Sequence, residues 1–119
     1  MFNLNKIAIN SIKVIWLYKN NTKTHYTHNG NLKCYELAYN LHGNEIINFN
    51  HKDYKIKADT LLFLPAGIVD ANYECNLLGF DNQKIIIAFT TTSPMPEEAG
   101  TMYINENSKL KSLFIKINN

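Results

Sequence analysis

The sequence predicts an all-β domain built as a sandwich or barrel, and three observations carry that prediction. Apolar residues recur at every second position between Tyr35 and Leu41, which is the period of a strand. Residues 85–89 are apolar on both faces and mostly β-branched, which favours a strand covered on both sides. Turn residues separate such segments at the spacing expected of a sandwich or barrel.

Alternating or short apolar runs predict seven strands in chain order. The first alternates from Ile12 to Tyr18, and the others are shorter. Gly and Asn tolerate positive φ and Pro pre-sets a turn, so clusters of these residues predict the connections. The predicted strands are residues 12–18, 35–41, 45–49, 53–56, 60–64, 73–77 and 84–90, with turns at 42–44, 50–53, 65–67 and 79–82.

The last quarter of the chain has a different pattern. Pro94 and Pro96 cannot sit in a central strand, so the chain leaves the sheet there. After a cap at Asn107 or Ser108, apolar residues recur at i, i+3, i+4 and i+7, which predicts an amphipathic helix of about three turns. The apolar stripe consists of Leu110, Leu113, Phe114 and Ile117.

The predicted helix is still running at Asn119, so we expect a domain of a longer protein. Residues 1–106 would form the barrel, and residues 107–119 would begin a helix that leads to a further domain. A complete small protein with its C-terminal helix docked on the sheet is the alternative.

Composition excludes several classes of function for this segment. The 119 residues suit one domain, and 45% hydrophobic with 18% charged residues is globular composition. All 12 basic residues are Lys, and the absence of Arg argues against direct DNA binding. No apolar run approaches the roughly 20 residues of a membrane span or resembles a signal peptide, so we expect a cytoplasmic protein. Cys34 and Cys75 are then expected to be reduced and buried.

Two short motifs resemble those of cupins, the small double-stranded β-helix barrels. In the first, Glu36 is followed by six residues and Gly43. In the second, Pro65-Ala66-Gly67 leads after two more residues to Asp70. The resemblance implies a double-stranded β-helix with a short C-terminal amphipathic helix.

The resemblance fails at the metal ligands of cupin enzymes. Asn29 and Asn31 stand near the positions of the first two cupin histidines, and Asp70 stands at the third. An amide cannot replace an imidazole on a transition metal, so we expect no metal, no cofactor and no cupin catalysis. The four histidines, His25, His28, His42 and His51, are interpreted as surface or pocket-rim residues.

Four segments, within about residues 30–117, are similar to the sensor domains of AraC-type transcriptional regulators. They are Cys34 to Gly43, similar to "YEL-x-Y-x-L-x-G"; Asp59 to Gly67, similar to "D-x-LLFLP-x-G"; residues 87–98, similar to "I-x-F-x-T … P-x-PEE"; and residues 107–114, similar to "NS-K-x-K-x-LF". The resemblance implies an N-terminal sensor that binds a small effector, commonly dimerises, and controls a C-terminal DNA-binding unit of two helix-turn-helix motifs.

The pocket prediction depends on which row of the 35–41 strand faces the lumen. Hydrophobicity places Tyr35, Leu37, Tyr39 and Leu41 in a core, whereas the cupin resemblance turns Glu36 inward. Both hold if the outer row is covered by the N-terminal strands and the C-terminal helix. A buried carboxylate needs donors, and sugar-type hydroxyls would supply them; a Lys partner is the alternative. The predicted ligand-binding residues are Cys34, Glu36, Ala38, Asn40, Asp70 and Tyr73.

The function predicted is therefore a metal-free effector sensor that acts as a homodimer, with the helix stripe at residues 110–117 as output or dimer surface. It would meet DNA only through the further domain and would not bind membranes. A stand-alone metal-dependent cupin enzyme and a carbohydrate-binding jelly roll are the alternatives. Catalysis has little support, because neither a nucleophile with its base nor a Gly-rich phosphate loop is visible in the sequence.

Overall fold

The described part of the chain is all-β, as predicted. The computed structural model describes residues 9–19, 25–78 and 82–103. Within these ranges there are nine strands and no helix, hence none that could cross a membrane. The strands are β1 Ile9–Lys19, β2 His25–Leu32, β3 Tyr35–His42, β4 Glu45–Phe49, β5 Lys52–Ile56, β6 Thr60–Leu64, β7 Ile68–Leu77, β8 Gln83–Thr91 and β9 Gly100–Tyr103.

All seven predicted strands are confirmed, and two strands were missed. Strands β4 and β6 have the predicted bounds, and β7 starts five residues earlier than expected. The missed strands β2 and β9 lie at edges of their sheets. The β2 sequence, HYTHNGNL, is mostly polar, because an edge strand needs little apolar surface, and it therefore gives a weak strand signal.

Two antiparallel sheets make up the fold. The five-stranded sheet has the order β1-β8-β3-β6-β9 and the four-stranded sheet the order β2-β7-β4-β5. Strand β3 is central, paired with β8 through Leu37↔Ile87 and with β6 through Leu37↔Phe63. The prolines at 94 and 96 lie outside every described strand, as predicted.

Most of the buried apolar residues in the described part of the chain form two clusters. The inner cluster takes side chains from both sheets and therefore lies between them; it consists of Ala38, Ile47, Phe49, Ile56, Leu62, Leu64, Ala71, Cys75 and Leu77. Among the described residues, the buried members of the outer cluster come from the five-stranded sheet; they are Leu37, Tyr39, Leu61, Phe63, Ile85, Ile87 and Phe89. The strands β3, β6 and β8 are thus buried on both faces, which confirms the prediction for residues 85–89.

One part of the predicted covering is wrong. We expected N-terminal strands to lie over the outer row of β3, but β1 pairs beside β8, with Leu17 opposite Ile85, and extends the sheet instead. Met95, from the segment after β8, does pack against the outer cluster. The predicted helix at 107–119 lies outside the described residues, and so does its stripe of Leu110, Leu113, Phe114 and Ile117.

The β4–β5 turn is tighter than predicted. Phe49 pairs with Lys52, which leaves Asn50 and His51 as a two-residue hairpin loop, and both have positive φ, 47° and 70°. This is the backbone that matches the twist of paired strands. Asn50 also accepts the Asn72 N–H on its side-chain oxygen at 2.8 Å, which ties the hairpin to β7.

Candidate functional site

A buried ion pair joins the two sheets at one end of the inter-sheet space. Lys84 of β8 and Glu45 of β4 are 6% and 3% exposed, and the Lys84 Nζ lies 3.0 Å from the Glu45 Oε2. The same ammonium donates to the other oxygen of the Glu45 carboxylate at 3.4 Å. Since the two strands belong to different sheets, this contact links the sheets through charge as well as through apolar packing.

Two residues of β7 complete what we call the polar cluster: Glu45, Tyr73, Cys75 and Lys84. The Cys75 thiol donates to the Glu45 Oε2 at 3.1 Å, and its sulfur lies 3.7 Å from the Lys84 Nζ. Tyr73, two residues earlier on the same face of β7, packs against the inner cluster and lies close enough to Lys84 for each to affect the other's pKa.

Burial and mutual contact fix the protonation of the cluster. Burial raises the pKa of the Cys75 thiol to about 12 and also raises the pKa of the Tyr73 hydroxyl, so both keep their protons at neutral pH. Burial by itself would lower the pKa of Lys84, but the interactions with Tyr73 and Glu45 outweigh it and raise that pKa. Because Tyr73 and Cys75 are neutral, the Glu45 carboxylate is the group that holds the Lys84 ammonium charged.

This arrangement favours binding over catalysis. A reactive cysteine needs a lowered pKa and access to solvent, whereas Cys75 is 1% exposed with a raised pKa. A buried cation, a carboxylate and a phenol next to an apolar core form an amphipathic environment, which suits a molecule with an apolar body and one polar end.

Four predicted ligand-binding residues lie on the inner side of the five-stranded sheet or face it. Ala38 belongs to the inner cluster, and Tyr73 packs on that cluster from the other sheet. Asn40 is 2% exposed and opposite Lys84 in the register of β3 and β8, but its amide donates to the Gly43 carbonyl at 2.7 Å and so holds the β3–β4 turn. Glu36 alternates with Ala38 on β3 and is half-buried.

The other two predicted residues lie elsewhere. Cys34 is half-buried in the connection between β2 and β3. Asp70 is exposed with a positive φ of 53°, and its backbone N–H donates to the Asn31 side chain at 2.9 Å. Asn31 and Asp70, which the cupin resemblance placed at or near metal-ligand positions, therefore contact each other at the exposed surface. Among residues 9–19, 25–78 and 82–103, no group of three His, Cys, Asp or Glu side chains is placed to hold a metal ion.

The sequence reasoning missed Glu45 and Lys84, although the signal was present. Glu45 shares the apolar row of its strand with Ile47 and Phe49. Lys84 directly precedes residues 85–89, the run that was predicted to be buried on both faces. Two opposite charges in rows otherwise buried are expected to pair, because an unpaired buried charge is costly.

A second concave region lies on the other side of the five-stranded sheet. It is a pocket of about 220 Å³ beside β6, β9 and the segment before β9. Its lining is mostly apolar and includes Leu61 and Phe63 of the outer cluster, Pro96 and Met102. The sheet separates it from the polar cluster, so it is a different site.

Comparison of the fold with solved structures finds similar proteins, whereas comparison of the sequence does not. No protein-family model matches the chain, and no curated protein is similar to it in sequence. The chain is similar in fold to ToxT of Vibrio cholerae. Wild-type ToxT with a bound unsaturated fatty acid matches over 94% of this chain, with a TM-score of 0.64 and 10% identity. ToxT bound to (E)-4-(8-methylnaphthalen-1-yl)but-3-enoic acid matches over 89%, with a TM-score of 0.62 and 10% identity.

The ToxT match concerns part of that protein only. The chain spans 48% of the length of ToxT in these two structures and 45% in an apo K231A variant, which has a TM-score of 0.62 and 11% identity. ToxT is an AraC-family regulator, so the fold comparison agrees with the resemblance found in the sequence. Identity near 10% shows a shared fold, and function has to be argued from the site.

Proposed function

We propose that this chain is the ligand-sensing domain of an AraC-type transcriptional regulator. It is a cupin-type double-stranded β-helix barrel without a resident metal, and it controls an attached helix-turn-helix unit in a cytoplasmic homodimer. The observation that carries the proposal is the polar cluster at one end of an apolar inter-sheet space, in a fold shared with a regulator whose solved structures hold organic acids.

The effector binds between the two sheets. Ala38, Asn40 and Tyr73, with Glu36 on the same row of β3, surround it together with Glu45 and Lys84; Cys34 and Asp70 act at the approach to the space. Most of the inner cluster is aliphatic or aromatic, and each buried hydroxyl without a partner there is costly. An effector with an apolar body and one polar end therefore fits this space better than the sugar-like effector that the sequence suggested.

Titration with small amphiphiles tests effector binding. We expect octanoate or octanamide to shift the NMR signals of inner-cluster residues, such as Ile47 and Leu62, in the labelled chain. Ala38→Leu is expected to weaken binding roughly tenfold or more, because the larger side chain occupies volume between the sheets that the effector needs. Ala66→Leu, in the β6–β7 turn, is the matched control. If neither probe shifts inner-cluster signals, the sensing function is wrong.

The predicted helix at 107–119 transmits effector binding to the attached DNA-binding unit. Its stripe of Leu110, Leu113, Phe114 and Ile117 forms the dimer or output surface, and effector binding shifts the population of the arrangements that this surface transmits. In the full-length protein, Leu113→Ser with Phe114→Ser is expected to change the oligomeric state or remove the effector response. Sedimentation and DNA-binding assays with and without effector measure both. Unchanged values for both would remove this role from the stripe.

The coding sequence beyond Asn119 offers a direct check on the regulator. We expect two helix-turn-helix motifs within about one further domain length, on the order of 150 residues. A continuation without such motifs would leave the chain a ligand-binding domain of another kind of protein.

A further inference from the structure

One buried side chain two residues before Lys84 has no hydrogen-bond partner in the part of the chain that the structure describes. Asn82, directly before β8, is 3% exposed. Within the described part of the chain, neither the oxygen nor the nitrogen of its amide has a partner. Leaving both atoms unpaired in a folded interior is costly, since water would bond to both in the unfolded chain. A buried amide with two unpaired atoms is therefore a candidate for binding a ligand group that supplies the missing hydrogen bonds.

The position of Asn82 relates it to the polar cluster. Asn82 lies two residues before Lys84, and residues two apart in an extended chain have their side chains on the same face. Residues two apart in an extended chain are about 7 Å apart, which is within the span of one small ligand group and its two neighbours. Lys84 meets Glu45, the first residue of β4, so Asn82 lies at the end of the sheets where β4 begins.

The charges of the cluster limit what can bind there. Lys84 and Glu45 compensate each other at 3.0 Å, and the Tyr73 and Cys75 side chains are neutral. A ligand carboxylate would add a buried negative charge without a free cation to balance it. It would also offer only acceptors, whereas the amide of Asn82 presents one acceptor and one donor group. A neutral group with a donor beside an acceptor satisfies both amide atoms.

We propose that Asn82 is a specificity-determining residue that pairs with a neutral polar end of the effector carrying a donor beside an acceptor, such as a carboxamide or an undissociated carboxylic acid. The pairing takes place beside the Glu45–Lys84 ion pair, with the apolar body of the effector along the inner cluster. The inference rests on the proposed sensing function and adds the chemical class of the group that is recognised.

Octanamide and octanoate form a matched pair of probes at neutral pH, since they differ only in the polar end. Octanamide is expected to shift the side-chain amide signals of Asn82 and to bind roughly tenfold or more tightly than octanoate. Asn82→Leu, of similar size, is expected to cancel this preference and to raise the melting temperature of the free chain, because it removes an unpaired buried amide. Asn48→Leu is the matched control, since the Asn48 amide is paired with Asp53 on the exposed hairpin at 2.8 Å.

The outcomes separate this inference from the proposed function. If both probes bind between the sheets but octanoate is equal or tighter, or if Asn82→Leu keeps the preference for octanamide, the role of Asn82 is overturned and the sensing function stands. A second contrary outcome is that Asn82→Leu has a lower melting temperature and binds octanamide unchanged. A buried water would then be the hydrogen-bond partner of the Asn82 amide, and the inference is overturned. If neither probe reaches the inner cluster, the sensing function fails first.

Discussion

At the scale of single residues, Glu45 and Lys84 show how the fold handles charge in its interior. Removing two charges from water costs several kcal/mol each, and good geometry returns about as much, so the net stabilisation by such a pair is small. Breaking the pair is different, because the remaining charge stays buried without compensation. Cys75 adds a hydrogen bond to the carboxylate, which lowers the cost of burying the pair further.

Substitution of one or both partners tests this asymmetry. Lys84→Met is expected to lower the free energy of unfolding by about 3–5 kcal/mol, because the Glu45 carboxylate loses its only charged neighbour in the polar cluster. The double variant Glu45→Leu with Lys84→Met is expected to recover most of that loss, since apolar residues of similar volume replace the pair. Urea unfolding measures each value.

Lys55→Met serves as the matched control, because Lys55 is exposed on β5 and its substitution is expected to change the free energy of unfolding by less than about 0.5 kcal/mol. A double variant that is no more stable than Lys84→Met alone would show that the polar cluster is needed for folding as such.

At the scale of elements, the β4–β5 hairpin is set by two residues in the left-handed region. Asn tolerates positive φ, and its side chain here accepts the Asn72 N–H. His51 also lies in this region, at a φ of 70°, and carries the conformational cost of a left-handed residue with a Cβ. The register of β4 with β5 depends on this loop, and β4 carries Glu45 into the polar cluster.

Substitution at His51 should therefore follow backbone preference. His51→Gly is expected to raise the free energy of unfolding by about 0.5–1 kcal/mol, because Gly adopts positive φ without the Cβ clash. His51→Val is expected to lower it by about 1–2 kcal/mol, since β-branched residues are the least suited to that region. Thermal and urea unfolding measure both variants. Equal stabilities of Gly and Val at this position would mean that the loop does not keep this conformation in solution.

At the scale of the whole molecule, several buried groups respond to pH in the same direction. Burial raises the pKa of Tyr39, Tyr73 and Cys75, and for Tyr39 the hydrogen bond from its hydroxyl to Asp59 adds to the effect. For Lys84, the contacts with Tyr73 and Glu45 outweigh burial and raise the pKa as well. Each of these groups keeps its proton in the folded protein at a pH at which the unfolded chain has lost it.

The consequence is a loss of stability on the alkaline side. When the folded state binds more protons than the unfolded state, the free energy of unfolding decreases as pH rises. The contribution of Cys75 is complete below the ordinary thiol value of 9.0 and is lost progressively up to its raised pKa of about 12. The tyrosines follow from 10.0 and Lys84 from 10.5.

Thermal unfolding across a pH series checks this expectation. Around neutral pH these groups are expected to leave the melting temperature nearly constant. Above pH 9.0 the melting temperature is expected to fall. In Cys75→Ala, compared with its own value at neutral pH, the fall is expected to begin near pH 10.0, where the tyrosines start to titrate. The same onset in both proteins would contradict the assignment of the first step to Cys75.

The all-β class and most of the strands could be predicted from the sequence, because alternation and turn residues act locally. Seven strands followed from alternating or short apolar runs, and the alternation in β3 already placed Ala38 and Tyr39 on opposite rows. The polar edge strand β2 escaped this reasoning, since pairing with β7 rather than its own residues makes it a strand.

The residues of the candidate site come together only through the packing of the two sheets. Glu45 and Lys84 are 39 positions apart, and only the packing of the two sheets brings their charges together. Asp70 lies at the surface, and the Asn40 side chain bonds the backbone of the β3–β4 turn. Both had been predicted to bind the ligand. A contact between sheets depends on how whole layers pack, and no local pattern in either strand encodes that placement.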